Sequence, residues 1–123
     1  MALTPEWDHR IKRWEEALWN SCYRPLASIP LSGFTTTLQL TADQALACQF
    51  TPMPKGTAWG GKWEYGWFKV SVELPEEAKG RRIAVCLQPG GESLVWIDGK
   101  VMGSVGWAHK EITLTRSGEP GTR

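Results

Sequence analysis

A chain of 123 residues with a formal net charge of +1 is one domain at most, and it carries no field that would gather nucleic acid, an anionic membrane or acidic substrates. Its three cysteines, Cys22, Cys48 and Cys86, are odd in number and form no C-x-x-C pair; this argues against a disulfide framework or zinc knuckle and predicts reduced, mostly buried thiols in a cytoplasmic protein. No apolar run reaches membrane-spanning length, and the opening Met1-Ala2-Leu3-Thr4-Pro5-Glu6 holds no signal-peptide core.

Thr4-Pro5-Glu6 starts a helix. The Thr4 hydroxyl can cap it, Pro5 suits the first helical position, and Glu6 meets the positive end of the dipole. Trp7, Ile11, Trp14 and Leu18 then recur on one face, so an amphipathic helix is predicted from Pro5 to about Ser21. It stops there because Arg24 precedes Pro25 and is pushed out of helical geometry. Arg10, Lys12 and Arg13 stand beside Asp8, Glu15 and Glu16, a solvated mixed-charge face rather than a binding patch. The apolar face must dock, on this domain or on another part of a larger protein, and its four residues are read as an inter-domain contact.

Pro25, Pro30, Pro52 and Pro54 punctuate the next stretch. Phe34 to Leu40 reads as a short strand, Thr41 to Gln44 as a capping box before one or two helical turns, and Phe50 to Pro54 as an extended connection. From Gly66 the alternation is clear: Phe68, Val70, Val72 and Leu74 define one half-buried strand, and Ile83, Val85 and Leu87 a second. Leu94 to Ile97 is a third. Asp98-Gly99 predicts a type I′ hairpin, because both turn positions require positive φ. Val101 and Met102 begin the return strand, Gly103 and Gly106 break it, and Ile112 and Leu114 lie on a last strand. Five or six short strands at this spacing predict an antiparallel β-sandwich of jelly-roll, galactose-binding-like type, mostly β with one N-terminal amphipathic helix. A complete eight-stranded jelly roll needs more, so the chain is expected to be a piece of a longer polypeptide with open sheet edges, through which copies would pair. The organisation expected is a helix at 1–24 and a sandwich at 25–123.

Eight tryptophans are several-fold more than usual for this length. Packing is the ordinary use of so much apolar ring; stacking against the C–H face of a sugar is the sharper one. Trp59, Trp63, Tyr65, Trp67 and Trp107 fall at loops or strand ends, with Glu64 set among rings and His109 near Trp107. Trp59, Trp63, Glu64, Tyr65, Trp107 and His109 are therefore the candidate carbohydrate contacts. Glycoside hydrolysis needs two carboxylates about 5 Å or about 6.5–9.5 Å apart, yet Glu76, Glu77, Glu92 and Asp98 read as solvated loop or turn residues. With two histidines and unrelated cysteine spacing, no zinc site is expected. Gly-x-Ser-x-Gly and phosphate-binding glycine loops are absent. No catalytic and no metal residue is assigned.

The order Trp59-Gly60, Trp67-Phe68, Leu74-Pro75, Gly91 to Lys100 and His109 to Leu114 resembles the N-terminal domain of α-mannosidases of glycoside hydrolase family 38. The match is loose before residue 50 and good from Thr57 to Thr115. The resemblance implies a parent enzyme with a divalent metal, usually zinc, and a carboxylate nucleophile in a separate α/β domain. The His-x-Asp of that metal site does not occur here, so no catalytic or metal residue carries over. The function expected is a non-catalytic accessory domain whose partner is the catalytic domain of the same polypeptide, with glycan as a further partner. The alternative is a self-standing carbohydrate-binding module using exposed tryptophans.

Overall fold

The computed structural model describes residue 2 and residues 4–122. Helix α1 spans Pro5–Ser21. Thr4 is its N-cap, with Oγ1 accepting from the Trp7 N–H at 3.4 Å, and the helix closes with the Cys22 N–H donating to Trp19 O at 3.2 Å. The capping chemistry fixes where the helix begins, and none of its side chains is buried against the rest of the domain.

Strands β1 (Ser32–Thr36), β2 (Thr51–Pro52) and β3 (Tyr65–Lys69) form an antiparallel sheet in the order β2-β1-β3. The strand expected from Phe34 to Leu40 starts earlier and stops at Thr36. There the Thr36 hydroxyl accepts from the Leu38 N–H at 3.1 Å and turns the chain out of the ladder. Helix α2 (Ala42–Leu46) follows, with the predicted box intact: Gln44 N–H donates to Thr41 Oγ1 at 3.3 Å, and Thr41 N–H donates to Gln44 Oε1 at 2.9 Å. The connection expected at Phe50–Pro54 contains β2, a two-residue edge strand on which Pro52 is tolerated because it has no N–H to offer a further neighbour.

The single strand expected through Leu74 is two. After β3 the chain leaves its first sheet, and β4 (Glu73–Leu74) pairs with β9 (Gly121–Thr122) instead. Strand β5 (Ile83–Cys86) pairs with β8 (Glu111–Thr115), and β6 (Ser93–Ile97) with β7 (Lys100–Val105). The β6–β7 turn is the predicted one, with Asp98 at φ 50° and Gly99 at φ 78°. Gly103 does not break β7. The register steps between Val95↔Gly103 and Trp96↔Val101, so the extra residue is absorbed as a bulge at a glycine with φ 148°. The described residues thus hold nine strands rather than five or six, the surplus being two-residue pieces that periodicity cannot detect.

Leu74, Ala78 and Ile83 form the buried cluster, with Leu26, Val72 and Leu114 packed against it. Gly118 is required beside it: a Cβ there would overlap the Ala78 carbonyl, and its N–H and C=O bond to Arg81 O at 2.8 Å and from Gly80 N–H at 2.9 Å. Val72, Val85, Leu87, Val95, Ile112 and Leu114 line an open apolar cleft of about 110 Å³. The thiols correct an expectation. Cys22, Cys48 and Cys86 are free, but all are exposed. Cys22 and Cys48 sit just past helix ends, where their Sγ atoms reach Leu18 O at 3.3 Å and Gln44 O at 3.4 Å.

Candidate functional site

The aromatic loop from Trp59 to Tyr65 is held by one distant tie and by hydrogen bonds within the loop itself. Trp59 Nε1 donates to Pro89 O at 2.7 Å and its ring meets Phe68 edge-on, centroids 5.2 Å apart. Trp59 is thus a half-buried anchor that ties the loop to the Pro89–Gly90 turn. Glu64 Oε1 accepts from the Gly60 N–H at 3.1 Å, while the Glu64 N–H donates to Gly61 O at 3.1 Å. The carboxylate therefore folds its own loop, as a loop acid usually does. Between them Trp63 sits at φ 61° with 79% of its surface exposed, an uncommon backbone state for a bulky residue.

Tyr65 opens β3, is exposed, and its hydroxyl accepts from Gln39 Nε2 at 2.9 Å. Trp67, two residues on, stacks on Trp96 of β6, with centroids 5.8 Å apart and planes at 22°. Packing takes up Trp59 and Trp67, which leaves Trp63, Tyr65 and Trp107 as exposed rings. Trp107 is 80% exposed in the Gly106–His109 turn, which is closed by Gly106 N–H to His109 O at 2.7 Å and His109 N–H to Gly106 O at 3.3 Å. His109 borders a different feature, an open groove of about 420 Å³ along β8 that Met102, Glu111 and Arg116 also line.

Among the described residues no polar or charged side chain is buried, and no group of three His, Cys, Asp or Glu could hold a metal ion. The Trp59–Pro89 bond, the Trp67–Trp96 stack and the β8 groove were not foreseen, since each joins segments far apart in sequence. The stripe Trp7, Ile11, Trp14 and Leu18 is exposed at 55%, 40%, 66% and 48%.

Four small antiparallel sheets and a bulged Asp-Gly hairpin make up a mostly β domain of jelly-roll type. The chain belongs to the family described as "Alpha-mannosidase, jelly roll domain", whose model matches residues 26–123. It is similar to Alpha-mannosidase 2C1 of Mus musculus, 37% identical over 73 residues, and to Alpha-mannosidase 2C1 of Homo sapiens, 36% identical over 70 residues. These alignments cover 59% and 57% of this chain but 7% of either relative. No solved structure is significantly similar to the chain.

Proposed function

We propose that the chain acts as the non-catalytic N-terminal accessory domain of a cytoplasmic α-mannosidase. It docks on the catalytic domain of the same polypeptide and shapes it. The observation that carries this reading is the family match over residues 26–123 on a sandwich whose apolar cleft stands open. Hydrolysis of the mannosidic bond, and the divalent metal such as zinc that serves it, belong to the parent's catalytic domain. The described residues offer no group of three His, Cys, Asp or Glu that could hold such an ion.

The test is complementation. The catalytic remainder of a longer α-mannosidase carrying this domain is expressed without it, then supplied with residues 1–123. Solubility and hydrolysis of an aryl α-mannoside should both rise on addition. Unchanged solubility and rate would reject the accessory role. Turnover by residues 1–123 alone would reject the non-catalytic assignment.

A further inference from the structure

The apolar positions of α1 advance in steps of four, three and four residues, Trp7, Ile11, Trp14, Leu18. That is the 3.5-residue seam of a coiled coil, with Ile11 and Leu18 at a and Trp7 and Trp14 at d. The flanking positions then follow. Asp8 and Glu15 fall at e, Arg10 and Ala17 at g. None of the helix is buried in its own domain, so the seam is free along its whole length. The Arg10 guanidinium already leans along it, 5.2 Å from the Trp7 ring centroid.

We infer that α1 is a self-association element, pairing in parallel with α1 of a second copy of this chain. Charge decides the orientation. In a parallel pair a g residue faces the e residue of the next heptad on the other helix, which sets Arg10 against Glu15 of the second copy, twice by symmetry. In an antiparallel pair e faces e, which sets Asp8 and Glu15 of one helix against the same acids of the other. The helix is only 17 residues long, so association is weak. The inference does not rest on the accessory role; it gives the stripe Trp7, Ile11, Trp14 and Leu18, read from the sequence as an inter-domain contact, a second copy of the chain as its occupant.

Residues 1–123 are followed by sedimentation equilibrium. The chain should show a monomer–dimer equilibrium. Arg10→Glu or Glu15→Arg alone should weaken it about tenfold, and the double reversal should restore it, while Ile11→Asp should abolish it. Circular dichroism checks that each variant keeps its helix; the charge reversals touch no buried residue. Orientation is read with the exposed thiol at Cys22, which ends α1. In the Cys48→Ser/Cys86→Ser background a short-spacer bismaleimide should link Cys22 to Cys22. An antiparallel pair would hold those thiols about 25 Å apart and block the link. A strictly monomeric chain at millimolar concentration, a dimer indifferent to both charge reversals, or a dimer that Cys22 cannot cross-link would each overturn the inference. Indifference to charge with loss on altering a sheet-edge residue would assign association to the strands instead.

Discussion

At the scale of single residues, two tryptophans of one loop do opposite work. Trp59 spends its indole N–H on Pro89 O at 2.7 Å. Trp59→Phe keeps most of the ring contact with Phe68 but deletes that bond, and should cost about 1–2 kcal/mol, measured as a lower urea midpoint at unchanged slope. Trp63 contributes little packing, and its backbone lies at φ 61°. Trp63→Gly removes that strain and should leave the domain as stable or more stable, by up to about 1 kcal/mol in the same titration. The sequence marks both residues as aromatic and placed near a loop; it does not tell them apart. What separates them is a carbonyl 30 residues away for Trp59. Glu64 was read as a candidate sugar contact, whereas its carboxylate accepts from the Gly60 N–H of its own loop.

At the scale of elements, legibility followed the range of the forces involved. The Thr4 cap, the Thr41–Gln44 box and the Asp98-Gly99 turn are all local hydrogen-bond or dihedral devices, and each was readable from residue types and spacing. The hairpin turn gives a direct check. Gly99→Ala forces a Cβ into φ 78° and should cost about 1–2 kcal/mol, seen as a lower thermal midpoint. Strands β2, β4 and β9 escaped notice because two residues carry no period. The division of Phe68–Leu74 into two strands escaped it for another reason. Alternation reports which face is apolar, and that face stays the same while the hydrogen-bonding neighbour changes from β1 to β9. The bulge at Gly103 looked like a strand end because glycine marks both.

At the scale of the whole molecule, burial is thin. Among the described residues only Ala45, Leu74, Ala78, Ile83, Val105 and Ile112 form the buried apolar set, little for a chain of this length. The mistaken burial of the cysteines follows from that: an interior this small cannot take every apolar residue the composition supplies. The Trp67–Trp96 stack is the notable tie across the sandwich, since Trp67 belongs to the β2-β1-β3 sheet and Trp96 to the β6–β7 hairpin. Two indoles so close, 5.8 Å between centroids, couple their electronic transitions. The native chain should therefore show an exciton couplet in far-ultraviolet circular dichroism, absent from Trp96→Phe. Its disappearance on heating would time the parting of the two sheets against the loss of helix signal, an optical clock built from two native rings.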